Sequence, residues 1–147
     1  QIVHAGDICG AHVLETLERI NPNITAVAGN NDVAALWDIH EAHIVTALPQ
    51  MVDIQLPGGT LAIEHGHRHG MHTPCHQSLR DSHPHARAIV YGHTHSMVVD
   101  KEHPTWVVNP GAAGETRTRG GASCLILTAS EEAWEVEMFR FSIKEVA

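Results

Sequence analysis

The sequence predicts an α/β protein in which a mixed β-sandwich is flanked by helices. In the first half of the chain, short apolar runs lead through polar, glycine-containing loops into helical patterns. In the last part, strand patterns follow one another without helices. With 147 residues, 43% of them hydrophobic and 18% charged, the chain is expected to fold as one domain over residues 1–147.

Two units of strand, polar loop and helix are predicted in the first half of the chain. Each begins with a short apolar run and continues into residues spaced for one helical face. In the first unit the strand lies at 2–3, the loop at 4–7 and the helix at 13–20. In the second unit the strand lies at 24–28, the loop at 29–32 and a short helix or turn at 33–37. Their loops read His4-Ala5-Gly6-Asp7 and Gly29-Asn30-Asn31-Asp32, so both strands end in glycine and oxygen-bearing side chains.

A β-hairpin is predicted in the middle of the chain. Its pattern consists of an alternating strand over 51–56, the turn Pro57-Gly58-Gly59 and an apolar strand over 60–64. The second strand ends at His65-Gly66-His67. A polar, histidine-rich stretch follows, and a helix is expected around 78–80.

The last part of the chain predicts further strands. The strand over 88–91 ends at Gly92-His93-Thr94-His95, so it is the fourth strand that ends in a polar loop with glycine. Later strands are predicted over 105–108, 122–128 and 134–141. In the last of these, apolar residues occupy every second position, as expected for a strand with one buried face.

Side chains at these four strand ends predict a metal site. Ligands of open α/β sheets bind outside the carboxyl ends of the strands, where the four loops would meet. The candidate ligands are Asp7, Asn30, His65, His93 and His95. Carboxylate, amide and imidazole donors without a thiolate suit Mn, Fe, Co, Ni or Zn better than Ca, which takes oxygen ligands.

The four motifs, in this order, resemble those of the calcineurin-like metallophosphoesterase superfamily. The loop at 4–7 resembles its GD motif, 29–32 its GN-x-D motif, 65–67 its isolated-histidine motif and 92–96 its GH-x-H motif. With the Asn109-Pro110-Gly111 turn, the chain looks most like the small bacterial and archaeal phosphodiesterases. The resemblance implies a four-layer αββα sandwich.

The resemblance also implies a metal-dependent phosphoesterase that acts on phosphodiesters, with phosphomonoesters left open. Asp7 would bridge two divalent transition metals. Asn30, His65 and His93 would complete one metal, and His95 would bind the other. Manganese is favoured, and iron, nickel, cobalt and zinc are also compatible. A metal-bound hydroxide would attack the phosphorus in line.

Four residues are candidates for roles beyond metal binding. Asn30, Asp32 and His67 are the candidate catalytic residues, and His67 and Arg117 are the candidate substrate contacts. Asp32 has an alternative interpretation as a helix N-cap, because it precedes an apolar helical pattern. Arg117 and Arg119 flank a glycine-rich turn and could hold a phosphate between them, although exposed arginines at strand ends are usually only solvated.

The sequence departs from the family pattern in two ways. No Asp-x-His motif precedes Asp7, so one metal would keep only Asp7 and His95, and we expect the family's first strand and helix to be missing from the chain. At Asn31 many members carry a histidine that is proposed to protonate the leaving group, which an amide cannot do. This second departure favours activated phosphodiesters.

Composition restricts the class of partner. The formal charge of −8, without a basic stripe, disfavours nucleic acid as a stable partner. No apolar run approaches the roughly 20 residues of a membrane-spanning helix, and no signal-peptide pattern opens the sequence, so a cytoplasmic location and no membrane partner are expected. The expected partner is a small phosphoester substrate, and homo-oligomerisation is left open.

Two other functions compete with the enzyme. Some members of the superfamily have lost ligands and serve as scaffolds, and this chain lacks two ligands, so a non-catalytic interaction module is the main alternative. The four motifs that are present are complete, which favours an enzyme. A structural single-zinc domain is disfavoured because none of the four strand-end loops carries a cysteine ligand.

Overall fold

A computed structural model describes residues 1–114 and 116–142. Within these residues the strands are β1 Ile2–His4, β2 Ile24–Ala26, β3 Met51–Leu56, β4 Gly59–Glu64, β5 Ala86–Val90, β6 Met97–Asp100, β7 Trp106–Pro110, β8 Ala122–Ala129 and β9 Trp134–Phe141. The α-helices are α1 Ala11–Ile20, α2 Ala42–Ala47 and α3 His76–Ser82. Single turns of 3-10 helix lie at Ala34–Leu36 and His67–His69. None of the described helices has the length and apolar character needed to cross a bilayer.

A five-stranded mixed sheet forms the centre of the fold. Its strand order is β3-β4-β5-β7-β6, with parallel β4, β5 and β7 in the middle and an antiparallel strand at each edge. A parallel pair β1-β2 and an antiparallel pair β8-β9 complete the strands. Because the carboxyl ends of parallel strands meet at one edge, the loops after β4 and β5 emerge side by side.

Three clusters of buried side chains define four layers. One cluster lies on the face of the five-stranded sheet that carries Ile63. This face packs against Val27, which directly follows β2, and against Trp134 of β9. The opposite face carries Ala62 and packs against Leu79 of α3. A third cluster packs α1 and α2 against the β1-β2 pair. This order of helices, strands, strands and helix is the predicted αββα sandwich.

Strands β4 and β5 are rich in apolar residues because both of their faces are buried. Leu61 and Ile63 point into one cluster while Ala62 points into the other. A central parallel strand covered on both faces needs a continuous apolar run instead of alternation. These two strands therefore form a rigid base for the loops that follow them.

The predicted elements mostly match those observed, with a few differences. The hairpin is confirmed, and its second strand begins at Gly59. The helix expected around 78–80 is α3, and the short helix or turn predicted at 33–37 is a single 3-10 turn. Helix α2 and strand β6 were not predicted. They have six and four residues, which is too short for a clear periodic pattern.

Candidate functional site

Four of the five predicted metal ligands lie together where β1, β2, β4 and β5 end. The Nε2 atom of His65 lies 3.1 Å from Oδ1 of Asn30 and 3.4 Å from Oδ1 of Asp7. The Nδ1 atom of His93 lies 3.1 Å from the same amide oxygen of Asn30. The loops at the strand ends therefore bring a carboxylate, an amide and two imidazoles into one cluster, in which adjacent polar atoms lie 3.1–3.4 Å apart.

His65 is held in one orientation by the backbone. Its ring is buried, and its Nδ1 atom lies 2.7 Å from the carbonyl oxygen of Ala5, to which it donates. This bond fixes the tautomer and leaves Nε2 to face Asp7 and Asn30. Burial alone would lower the pKa of His65, but its contacts with Asp7 and with the Ala5 carbonyl outweigh burial and raise it.

The carboxylate of Asp7 is held by Asn31. The backbone N–H of Asn31 donates to Oδ1 at 2.9 Å, and its side-chain amide donates to Oδ2 at 2.8 Å. Burial alone would raise the pKa of Asp7, but the hydrogen bonds from His65 and Asn31 outweigh burial and hold it well below its usual range. Asp7 is therefore an ionised, oriented carboxylate with both oxygens at the cluster.

His95 lies beside the cluster and has a different partner. Its Nδ1 atom lies 2.9 Å from the carbonyl oxygen of Arg117 and donates to it. The ring therefore has Nε2 as the nitrogen that can bind a metal. An open cavity of about 260 Å³ lies next to it, lined by residues 93–95 and 117–119.

Three of the predicted ligands have a strained backbone. Asp7, His93 and His95 have φ values of 55°, 64° and 57°, in the left-handed region that favours glycine. Cys9 and Arg117 share this conformation, and both flank the same site. Such conformations cost of order 1–3 kcal/mol each and concentrate at functional sites. Within the described residues, all the non-glycine positive φ values therefore fall in the loops around the predicted ligands.

Glycines allow the loops to approach one another closely. A Cβ atom on Gly29 would overlap the backbone nitrogen and Oδ1 of Asp7. On Gly6 it would lie 2.7 Å from Nδ1 of His65, and on Gly92 2.7 Å from the Ala5 carbonyl oxygen. The glycines of three of the four motifs are thus required by the spacing between neighbouring loops.

Asp32 joins the loops after β1 and β2. Its Oδ2 accepts the N–H groups of Ile8 at 3.0 Å and Gly29 at 2.8 Å, and its Oδ1 accepts that of Cys9 at 2.9 Å. The alternative interpretation of Asp32 as a helix cap is wrong, because the 3-10 turn begins after Val33 and has no side-chain cap. The catalytic role of Asp32 stays a prediction. Its carboxylate already accepts three backbone N–H groups.

His67 lies next to the cluster. Its ring centroid is 5.4 Å from that of His65 and 6.3 Å from that of His93. Its Nδ1 atom is buried and has no hydrogen-bond partner among the described residues. Burial, followed by the nearby rings of His65 and His93, lowers the pKa of His67. This position agrees with the predicted contact to substrate, which stays a prediction.

Arg117 and its neighbour Arg119 extend the site away from the ligands. Both side chains are exposed and line the cavity beside His95. The backbones of both arginines are hydrogen-bonded to His95. The Arg117 carbonyl accepts from the His95 ring, and the Arg119 N–H donates to the His95 carbonyl at 3.0 Å. Both arginines, which the sequence had offered as a phosphate clamp, therefore line one cavity, and the substrate contact through Arg117 stays a prediction.

Two supporting residues were missed by sequence reasoning. Asn31 was considered only as a lost proton donor, whereas it orients Asp7. Asn109 is fully buried, and its amide donates to the Gly92 carbonyl at 2.6 Å and to the Thr94 hydroxyl at 3.1 Å. The Asn-Pro-Gly turn had marked the position of Asn109 without indicating its partners.

The donor set fits a divalent transition metal. Within residues 1–114 and 116–142 no group of three His, Cys, Asp or Glu side chains forms a ready metal site. The third donor beside Asp7 and His65 is the amide oxygen of Asn30. His93 has its Nε2 atom 2.8 Å from the Met71 carbonyl oxygen. Mixed oxygen and imidazole donors suit Mn, Fe, Co, Ni or Zn.

The chain is similar to known proteins over most of its length. The chain is 29% identical over 117 residues to a curated phosphodiesterase of Methanocaldococcus jannaschii, a match that covers 75% of this chain and 65% of the relative. The matched part thus spans just under two thirds of that relative's length.

Solved structures share the fold. A predicted phosphoesterase from Streptococcus pneumoniae superposes with a TM-score of 0.69 at 16% identity, covering 99% of this chain and 92% of its own. Wild-type Vps29 from Entamoeba histolytica, crystallised with Zn²⁺, superposes with a TM-score of 0.68 at 14% identity, covering 94% and 80%.

The family itself is shown by a match over most of the chain. The family model described as the calcineurin-like phosphoesterase superfamily domain matches residues 1–132, which include all four loops of the site. The motifs, the αββα layers and this match lead to one conclusion: the chain belongs to the calcineurin-like phosphoesterase superfamily.

Proposed function

We propose that this chain carries the metal site of a metal-dependent phosphodiesterase. The observation that carries the proposal is the position of Nε2 of His65, between the amide oxygen of Asn30 and the carboxylate of Asp7. Imidazole, amide and carboxylate donors that meet at one point are suited to binding a divalent metal. The curated phosphodiesterase at 29% identity supports the same reaction class.

Asp7, Asn30, His65 and His93 would hold one metal ion, and Asp7 and His95 would contribute to a second. Two divalent ions, when bound, supply activation of water and neutralisation of the charge on the phosphoryl oxygens. Manganese is our first choice among the compatible ions.

The protein's own residues would orient the substrate. Arg117 and Arg119 line the cavity beside His95, and guanidinium groups match the geometry of phosphate oxygens. His67, whose ring lies beside those of His65 and His93, would add a further contact to the substrate. Together these side chains would hold the phosphodiester over the ligand cluster.

Asn31 restricts the substrate class. Its amide is engaged with Asp7 and has no proton to give to a leaving group. We therefore expect phosphodiesters with acidic leaving groups to be hydrolysed faster than alkyl diesters.

The proposal is tested by hydrolysis of bis-(p-nitrophenyl) phosphate with and without Mn²⁺, together with the metal content of the protein. Asp7→Asn keeps the shape of the side chain but removes its charge, and we expect at least a hundredfold loss of kcat. His85→Ala removes an exposed histidine outside the four loops and is the matched control. Turnover that does not depend on metal, or that survives Asp7→Asn, would refute the proposal.

The competing interaction module gives a different result in the same experiment. A structurally similar Vps29, named for vacuolar protein sorting and not for hydrolysis, was crystallised with Zn²⁺. Metal binding alone therefore does not distinguish the two functions. An Asp7-dependent metal content without turnover of either diesters or monoesters would favour the interaction module.

A further inference from the structure

A chain of polar side chains runs beneath the loop that carries His93 and His95. It begins at Asp100, the last residue of β6, and its Oδ2 atom lies 2.7 Å from Nδ1 of His76. The Nε2 atom of His76 lies 3.1 Å from the hydroxyl oxygen of Tyr91, which directly precedes Gly92. A carboxylate only accepts, so Nδ1 carries a hydrogen, and Nε2 of the neutral ring accepts from the tyrosine hydroxyl.

The distant end of this chain is firmly held. Arg80 donates to Oδ2 of Asp100 at 2.6 Å, and its Nε–H donates to the Thr105 carbonyl at 3.0 Å. The backbone N–H of Glu102 donates to Oδ1 of Asp100 at 3.1 Å. Helix α3 and the edge of the five-stranded sheet thus fix the carboxylate that orients His76.

The near end touches both histidine loops of the site. Tyr91 is 1% exposed, and its ring packs against Gly66, where an added Cβ would lie 3.0 Å from its Cδ2. Gly66 separates His65 from His67. The residue after Tyr91, Gly92, donates its N–H to the His65 carbonyl at 3.1 Å. One side chain therefore supports the turn after β4 and leads into the loop after β5.

A purely space-filling role does not explain these polar groups. The neighbours of Tyr91 in its buried cluster are Ala62, Leu79, Ala86, Ile89 and Val107. A phenylalanine would fill the same volume without a hydroxyl to satisfy, and buried polar networks often contribute specificity more than stability. The hydroxyl is the atom that links the ring to His76.

We propose that Asp100, His76 and Tyr91 form a positioning relay that sets the placement of His65 relative to His93. Tyr91, His76 and Asp100 are positioning residues, since they act on the ligands through the two loops. The inference rests on the proposed function for its effect on catalysis, and it adds residues outside the four motifs. Supporting residues of this kind change metal affinity by 10–100-fold when they are removed.

The test uses Tyr91→Phe and His76→Leu in the full chain. For each variant we expect Mn²⁺ affinity, measured by isothermal titration calorimetry, to fall about 10–100-fold. We also expect kcat to fall with KM nearly unchanged and thermal unfolding to be shifted by only a few degrees. His85→Leu is the matched control. His76→Gln has a donor and an acceptor on one side chain and should restore part of the affinity.

The effects of Tyr91→Phe and His76→Leu on Mn²⁺ affinity should not be additive. If Tyr91 and His76 act through one relay, the double variant binds Mn²⁺ as weakly as either single variant. Independent effects that multiply would overturn the relay. So would a Tyr91→Phe protein with the metal affinity and kcat of the parent.

A third measurement separates this inference from the proposed function. Hydrogen exchange of the peptide that spans Gly92–Ser96 is recorded on the metal-free protein, where no catalysis is involved. Faster exchange there in Tyr91→Phe, with unchanged exchange of β8-β9, supports the relay even if the parent fails to hydrolyse phosphodiesters. Unchanged exchange at Gly92–Ser96 overturns the relay even if the parent is an active phosphodiesterase.

Discussion

Asn31 donates two hydrogen bonds to Asp7, one to each carboxylate oxygen. The backbone bond to Oδ1 measures 2.9 Å and the side-chain bond to Oδ2 measures 2.8 Å. The residue that lacks the acid chemistry expected at this position thus orients the central carboxylate of the site. A substitution of its side chain would therefore remove one of the two hydrogen bonds that orient Asp7.

Asn31→His should separate the orientation of Asp7 from the protonation of the leaving group. An imidazolium can protonate a leaving group. The variant is therefore expected to hydrolyse alkyl phosphodiesters faster than the parent, and this gain should disappear at alkaline pH, where the imidazole has lost its proton. Hydrolysis of p-nitrophenyl diesters, which need no acid, should fall because Asp7 loses its side-chain donor. Asn31→Leu is the control that loses the donor without gaining the acid. Identical pH–rate profiles of Asn31→His and the parent would contradict this.

Gly29→Ala should prevent the site from forming. The new Cβ would overlap Asp7, and the neighbouring loops have little freedom to move apart. We expect the free energy of unfolding to fall by about 1–3 kcal/mol, the usual cost of overpacking, with loss of metal binding. Gly114→Ala is the matched control, since an added Cβ there meets nothing within 4 Å. Urea denaturation checks the prediction, and equal effects of the two substitutions would oppose it.

Asp32→Ala should destabilise the loops after β1 and β2. Three backbone N–H groups would lose their acceptor, and unpaired buried donors cost about 1–3 kcal/mol each before water enters. We expect a decrease of at least 2 kcal/mol in urea-induced unfolding. Asp38→Ala removes an exposed carboxylate that accepts from His40 and should cost far less. A stable Asp32→Ala protein that lost only turnover would instead support the catalytic role.

Asp100 should make stability depend on acid pH. Burial alone would raise the pKa of Asp100, but hydrogen bonds from Arg80 and His76 outweigh burial and lower it from 3.8 to about 2. The pKa of Asp100 is lower in the folded protein than in the unfolded chain, so its ionised form stabilises the fold. This contribution to the free energy of unfolding is complete above about pH 4 and is lost as the pH falls towards 2. It amounts to at most about 2 kcal/mol.

The comparison with Asp100→Asn isolates this contribution, since Asp7 titrates in both proteins. The difference in unfolding free energy between the parent and Asp100→Asn should be largest at pH 5 and should shrink as the pH approaches 2. A difference that stays constant between pH 5 and pH 2 would show that Asp100 does not stabilise the fold through its charge.

The sequence predicted those features that depend on local pattern. The Pro57-Gly58-Gly59 turn between two apolar strands specified the hairpin, and glycines beside polar residues marked the loops of the site. Strand β6 was missed because its four residues adjoin the GH-x-H loop and show no alternation long enough to detect.

Side-chain partners distant in sequence could not be predicted. Asn31 meets Asp7 and Asp32 meets Ile8 across 24 positions, and His76 meets Tyr91 across 15. Such pairs depend on the packing of whole layers, which no local pattern records. The five ligand candidates were identifiable because they repeat at strand ends, whereas the residues that orient them follow no such rule.

The two halves of the site rest on parts of the fold with different resistance to opening. His65 and His93 follow β4 and β5, which are buried between layers, whereas Asp7 and Asn30 follow the short pair β1-β2. Short strands with few partners open at lower free energy than a sheet covered on both faces. A ligand held by all four side chains would couple the halves, so that the β1-β2 unit would open only with the central sheet. The rate at which β1 and β2 open would then report whether the site is occupied.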